Sequence, residues 1–331
     1  MTRAVVDAHA DLFSKCVEDG LDWIDDAVRF DASAEKLVRG GVRVQVASVY
    51  VPMRKDGEEG TTEALRIVGA AEDAVRRTRG FRRVNSVEQL DAALASDAVA
   101  VVLGMEGAGP LLGDPDRLRL FARLGVRFLG LTHNHANACG DGCFAKDPVG
   151  LTPRGRDMVG VAEEEGVVLD AAHLNPRAFD DVLALAKRPV VCTHAGCRAL
   201  LDVPRNLTDE QIESLAASGG VFGIDAFPGH VGRDRARGDL DDMVAHILHA
   251  LEIAGEDHVG LGADFDGIPT KLSGFEDASC YPALFSALAA RGVGEATLDK
   301  LAFGNWMRVL RSALERVPGS GRFPTRDCGL P

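Results

Sequence analysis

The residues of this 331-residue chain that are suited to chemistry recur at one kind of place, just after a short apolar run. The first run ends in Asp7-Ala8-His9-Ala10-Asp11, the third in Gly104-Met105-Glu106-Gly107 and the fourth in Thr132-His133-Asn134-His135. The fifth ends in Asp170-Ala171-Ala172-His173, the sixth in Thr193-His194 and the eighth in Asp264-Phe265-Asp266. In extended backbone, His9 and Asp11 share a face, because side chains alternate with a period of two. That is a two-ligand clip for a divalent cation. Taken singly, His173 and His194 read more readily as core or capping histidines than as ligands, since any buried polar group needs a partner. Glu106 follows Val-Val-Leu-Gly-Met and is expected to be buried, which is costly for a carboxylate unless it is paired or coordinated. His9, Asp11, Glu106, His173 and His194 together offer three imidazoles and two carboxylates. Zinc suits such a mixed set, with manganese, iron and cobalt as alternatives. Five ligands exceed what one catalytic zinc with an open position takes, and fit two metals with a shared carboxylate.

The elements that must position these residues alternate. Apolar runs at 4–6, 42–51, 98–103, 126–131, 166–169, 189–192, 219–224 and 258–261 have the character of strands buried on both faces. Segments at 64–77, 116–124, 154–165, 177–186, 209–217, 241–254 and 297–314 have amphipathic helical spacing. Thr208-Asp209-Glu210-Gln211 is a capping box, and Thr152-Pro153 places proline in a first helical turn. Eight strands alternating with helices predict an α/β chain folded as a (β/α)8 barrel, with a metal site at the C-terminal ends of the strands. A doubly wound open sheet is the alternative, weakened because no Gly-x-Gly-x-x-Gly follows the first strand. The expected organisation is one barrel over 1–317 and a Gly-, Pro- and Arg-rich surface arm over 318–331.

Composition narrows the function classes. The chain is 46% apolar and carries a net charge of −13, so it has the material for a core and is a poor match for nucleic acid. No apolar run approaches the roughly 20 residues of a membrane span, and neither a signal-peptide core nor a hydrophobic anchor tail is apparent. The expectation is a soluble, cytoplasmic protein without membrane or nucleic-acid partners. Seven cysteines with no Cys-x-x-Cys argue against a disulfide framework. Cys139 and Cys143 are four apart, a weak metal signal. His246, His249 and His258 read as structural. His230 is ambiguous, and His135 reads as a loop residue beside His133.

These motifs carry a family resemblance. The stretches Val6-Asp7-Ala8-His9-Ala10-Asp11, Leu103-Gly104-Met105-Glu106-Gly107, Leu129-Gly130-Leu131-Thr132-His133-Asn134 and Gly150-Leu151-Thr152-Pro153 occur in order. They are followed by the stretch 166–173 ending in Asp170-Ala171-Ala172-His173, by Pro189-Val190-Val191-Cys192-Thr193-His194, by Arg205-Asn206-Leu207 and by the stretch 258–267 containing Asp264-Phe265-Asp266-Gly267. The set resembles the renal (membrane) dipeptidases, peptidase family M19, binuclear zinc enzymes of the amidohydrolase-type barrels. The resemblance implies a zinc-dependent dipeptidase with two Zn2+ ions. His9 and Asp11 would hold one, His173 and His194 the other, and Glu106 would bridge them. It implies that His133 contacts the scissile carbonyl region, that Arg205 holds the substrate's C-terminal carboxylate, and that Asp264 meets the free amino terminus or shuttles the proton. The implied substrates are dipeptides with a free C-terminal carboxylate, including those with a C-terminal D-residue, and the implied assembly is a homodimer. The chemistry is coherent, since two metals bring a bridging water's pKa towards about 7. The chain departs from the family pattern at Ala10, at Gly107-Ala108-Gly109-Pro110, at Ala195-Gly196 and at Ala226-Phe227-Pro228-Gly229-His230. All five metal positions are kept, so the departures bear on specificity. The alternatives are an amidohydrolase specialised for a dipeptide-like amide and a non-hydrolytic metal-binding barrel.

Overall fold

A computed structural model describes residues 3–55, 57–235 and 237–315. The arm expected at 318–331, with Cys328, lies outside them. Nine parallel strands form one sheet: β1 (Val5–Ala10), β2 (Val42–Tyr50), β3 (Phe81–Arg83), β4 (Val99–Glu106), β5 (Val126–Gly130), β6 (Val168–Asp170), β7 (Cys192–Ala195), β8 (Phe222–Ile224) and β9 (Val259–Leu261). Eight of them run in the order β6-β5-β4-β2-β1-β9-β8-β7, while β3 pairs with the start of β4. A parallel bridge between Asp170 and Val191 joins the two ends of this order and completes the ring. The architecture is therefore the eight-stranded α/β barrel that the alternation predicts.

Residues from around the ring pack into one interior cluster, among them Val6, Val44, Val102, Phe128, Val191 and Val221. Trp306 and Leu310 of the helix Asn305–Leu314 join it. The Trp306 indole donates to the Leu261 carbonyl at 3.0 Å. A Cβ at Gly260 would lie 2.2 Å from its Nε1, so only glycine admits the ring there. A second, larger apolar cluster fills the space between sheet and helices. Helix starts follow the sequence signals. Thr208 and Gln211 form the reciprocal capping box, and the Thr152 hydroxyl accepts from Gly155 N at 3.1 Å.

Several boundaries differ from expectation. The run 189–192 enters the sheet as Cys192–Ala195, because its Val191 serves as the closing bridge. The helix expected over 297–314 is split by a π turn at Lys300–Gly304. Strand β3 and the helices Leu12–Asp19, Ala34–Gly40, Val87–Ala95, Pro228–Val231 and Tyr281–Ala290 are additional to the sequence reading. Among the described residues, no helix is long and apolar enough to cross a membrane.

Candidate metal centre and active site

The strand ends bring His9, Asp11, Glu106, His173, His194 and Asp264 together at one mouth of the barrel. Their ligand atoms fall into three overlapping groups, each within 4.8 Å: His9 with Asp11 and Glu106, Glu106 with His173 and His194, and His9 with His194 and Asp264. Glu106 belongs to the first two of these groups. Its Oε2 lies 3.2 Å from His9 Nε2, and its Oε1 lies 2.8 Å from His173 Nε2 and 3.6 Å from His194 Nε2. Two carboxylate oxygens thus face two separate sets of donors. The Ser48 hydroxyl donates to Oε2 at 3.2 Å and helps to orient the group.

Local backbone explains the convergence. Asp11 is not extended, as the His-x-Asp reading assumed; it has φ −94° and ψ 34° at the N-cap position of the helix Leu12–Asp19. Its side chain makes no capping hydrogen bond there. Turned away from the helix, it brings Oδ2 to 3.9 Å from His9 Nε2. His173, Asp264 and Asp266 have positive φ values of 65°, 59° and 68°. Non-glycine residues held in such conformations cost roughly 1–3 kcal/mol each and collect at functional sites. Asp266 accepts from Asp31 N and Ala32 N at 2.9 and 3.1 Å, which ties a neighbouring loop to the mouth.

The electrostatics fit divalent cations. Burial, then the charge of Glu106, pushes the Asp11 carboxyl up to about 7, and burial above all lifts Asp264 well above the carboxylate range. At Glu106 burial is outweighed by the charge of His9 and by the close ring nitrogens of His173, His194 and His9, and its carboxyl is held well below the usual value. Burial holds His173 and His194 well down, so both rings are neutral, as metal-ligating imidazoles must be. Burial also opposes protonation of His9, but Glu106, Asp264 and Asp11 push it up to about 10. That carboxylate field favours any cation placed within it. Among the described residues, no hydrogen-bond partner reaches the buried Asp11 Oδ1. An orphaned buried carboxylate oxygen is expensive unless a cation takes it. The residues present therefore suit the metals that the sequence implies.

The other expected residues surround this centre. His133 has its side chain one-third exposed, with Nε2 3.8 Å from Glu106 Oε1, and its ring packs on Tyr50 and His173. Burial pushes its pKa down. Arg205 is not on the surface; it is 3% exposed, and its Nη2 donates to the His194 carbonyl at 2.6 Å. Its Nε and Nη1 have no hydrogen-bond partner among the described residues. Two cavities of about 420 and 340 Å3 meet at the centre, and Glu106 and His133 line both. The larger reaches Asp264 and His230, and the smaller has apolar walls including Met53 and Leu112.

Some residues at the site escaped the sequence reading. Tyr50 ends β2 and Asp225 follows β8, so both stand where the other site residues do, at the C-terminal end of a strand. Asp225 is fully buried and accepts from His230 Nδ1 at 2.6 Å, which places the ambiguous His230 in the larger cavity. His246, His249 and His258 lie elsewhere, bonded to Cys197 N, Asp209 and the Gly220 carbonyl. His135 lines the smaller cavity. No group of potential metal ligands among the described residues includes a cysteine.

The chain is similar to proteins of known family. The family model of the membrane dipeptidases, peptidase family M19, matches residues 1–318. Dipeptidase tcpJ of Claviceps purpurea is 31% identical over 312 residues, covering 90% of this chain and 73% of that protein. The crystal structure of dipeptidase AC, a metallopeptidase of family M19, superposes with a TM-score of 0.89 at 28% identity, covering 95% of this chain and all of that one. A metallopeptidase from Rhodobacter sphaeroides, crystallised with a phosphinate mimic of L-Ala-D-Ala, gives 0.88 at 28% identity with the same coverage. The chain belongs to the membrane dipeptidase family, peptidase family M19, and is a dipeptide-hydrolysing enzyme of the metallopeptidase class.

Proposed function

We propose that the enzyme is a binuclear zinc dipeptidase that cleaves dipeptides with a free C-terminal carboxylate, including those with a C-terminal D-residue. The observation that carries this reading is the double reach of Glu106, with one oxygen towards His9 and the other towards His173 and His194. His9 and Asp11 would hold one ion, His173 and His194 the second, and Glu106 both. Two divalent ions held there supply Lewis-acid polarisation of the scissile carbonyl and a water acidic enough to attack at neutral pH.

The protein groups supply the rest. Asp264 is positioned as general base, taking the proton of the attacking water and passing it to the leaving amine. Its raised proton affinity, caused by burial, suits a group that must both take and release that proton. His133, kept neutral by burial, donates a hydrogen bond to the scissile carbonyl oxygen as negative charge develops on it. Arg205, with Nη2 anchored on the His194 carbonyl, has Nε and Nη1 for the substrate carboxylate. A guanidinium fork takes a carboxylate in paired hydrogen bonds, which confines substrates to those with a free carboxyl nearby. The L-Ala-D-Ala mimic bound to the Rhodobacter sphaeroides relative supports a dipeptide substrate and tolerance of a D-residue.

The test is amine release from L-X-L-X and L-X-D-X dipeptides and their C-terminal amides by zinc-loaded protein. The expected result is turnover of the free acids of both series, abolished by a chelator, with the amides poor substrates. Protein with two bound zinc ions that hydrolyses none of them contradicts the reading. Equal turnover of acids and amides contradicts the role given to Arg205.

A further inference from the structure

We propose that Asp170 and Thr193 form a proton relay of fixed direction that holds His194 as its Nδ1–H tautomer and leaves the Nε2 lone pair for a metal. The inference rests on the reading of His194 as a ligand, and it makes Asp170 and Thr193 positioning residues.

The direction follows from counting protons. Asp170 ends β6, and its Oδ1 accepts from Ala172 N at 3.0 Å and from Thr193 N at 2.9 Å. Its Oδ2 lies 2.5 Å from the Thr193 hydroxyl. Three donors thus converge on Asp170; burial raises its proton affinity against their pull, and in the ionised form that accepts all three it has no proton to give. A hydroxyl carries one proton, and this one is committed to Asp170. Towards His194 Nδ1, at 2.9 Å, Thr193 Oγ1 can therefore only accept. The imidazole proton must sit on Nδ1, so Nε2 is bare. That bare nitrogen lies 3.0 Å from His173 Nε2. His173 reaches the same tautomer by a separate route, since its Nδ1 is 2.8 Å from the side-chain carbonyl oxygen of Asn134. Two lone pairs facing each other across 3.0 Å repel, and a shared neighbouring cation removes the conflict.

The relay is built into the seam of the barrel. Strands β6 and β7 meet through the single bridge Asp170–Val191, and the Asp170 side chain adds the bond to Thr193 N. The Thr193 carbonyl is clasped by two glycines, because a Cβ at Gly223 or Gly262 would come within 2.0 or 1.9 Å of it. Closing the sheet and setting the tautomer thus use the same carboxylate. Partners of this kind commonly change metal affinity by about 10–100-fold.

Asp170→Asn reverses the relay with almost no change of shape. The amide oxygen still accepts the two backbone N–H groups, while the amide nitrogen donates to Thr193 Oγ1. The hydroxyl proton then turns to His194 Nδ1 and forces the Nε2–H tautomer, which cannot ligate. The readouts are imidazole 15N chemical shifts of the metal-free protein and zinc retention against a competing chelator, with the thermal midpoint of the metal-free protein as control. The expected results are Nδ1–H for His194 in the wild type, Nε2–H in D170N, and about 10–100-fold weaker retention of one of two zinc ions in D170N. Thr193→Ser should retain zinc as the wild type does, whereas Thr193→Val should lose it as D170N does, so the threonine pair decides the matter if D170N fails to fold. Wild-type His194 protonated on Nε2, or T193V holding zinc as tightly as T193S, overturns the proposal. Wild-type protein that shows the Nδ1–H tautomer yet binds no zinc contradicts the metal-site reading, and with it the purpose of the relay.

Discussion

Gly267→Ala separates the site from the fold. Gly267 follows Asp266 at the mouth of the barrel, and its φ lies outside the left-handed region, so alanine imposes no backbone strain. An added Cβ would lie 2.3 Å from Asp11 Oδ2 and 2.5 Å from Asp264 Oδ1. Ordinary contact begins near 3.4 Å, so each carboxylate must retreat by about 1 Å. Both atoms are the ends of side chains, and the movement costs the fold little. It displaces a proposed zinc ligand and the proposed proton carrier together. A misplacement of about 1 Å at a reacting centre can cost about 100-fold in rate. The expected outcome is a fall in kcat/KM of that order and weaker binding of one zinc ion, with the thermal midpoint within a few degrees of wild type. Metal content by elemental analysis, initial rates and calorimetry read the three quantities. Wild-type turnover with two retained ions would refute the reasoning, and a collapsed thermal midpoint would refute the claim that the carboxylates can move freely.

Glu106→Gln should abolish dipeptide turnover and reduce zinc content below two ions per chain; an active variant with two ions would rule out the bridge. Arg205→Lys keeps the charge but not the fork, so KM for dipeptides should rise about 10-fold or more, with a smaller change in kcat, measured by steady-state kinetics. His246 gives a pH signature away from the metals. Burial pushes its pKa down from 6.5 to about 4, and its Nδ1 accepts from Cys197 N. The unfolded chain therefore binds this proton first as pH falls, and the stability held above pH 6.5 is lost on the way down to about 4, by about 3 kcal/mol. His246→Asn keeps an acceptor without the titration, and its denaturation curves should fall less steeply over that window; equal slopes would remove His246 as the cause.

Much of the barrel was legible because its strands are short β-branched runs and its main helices carry amphipathic spacing with caps at Thr152 and Thr208. What was not legible has identifiable causes. Strand β3 has three residues and pairs only with the start of β4, too short for any periodic signal. The helix Leu12–Asp19 begins at Asp11, a proposed metal ligand whose side chain does not cap it, so the usual start signal was absent in function though present in residue type. At the site, the rule of polar residues after apolar runs found the candidate ligands. Applied to β2 and β8 it would also have found Tyr50 and Asp225. Arg205 could not be placed from sequence, because its burial comes from the loop folding back on the His194 carbonyl. The Asp170–Thr193–His194 chain crosses the barrel seam, and no linear pattern encodes that closure.

The most direct test of the central claim is a titration of metal-free protein with zinc, following amine release from L-Ala-L-Ala and L-Ala-D-Ala. The account expects turnover of both substrates to reach its plateau at two ions per chain. A plateau at one ion, or two bound ions with no hydrolysis of either dipeptide, would contradict it.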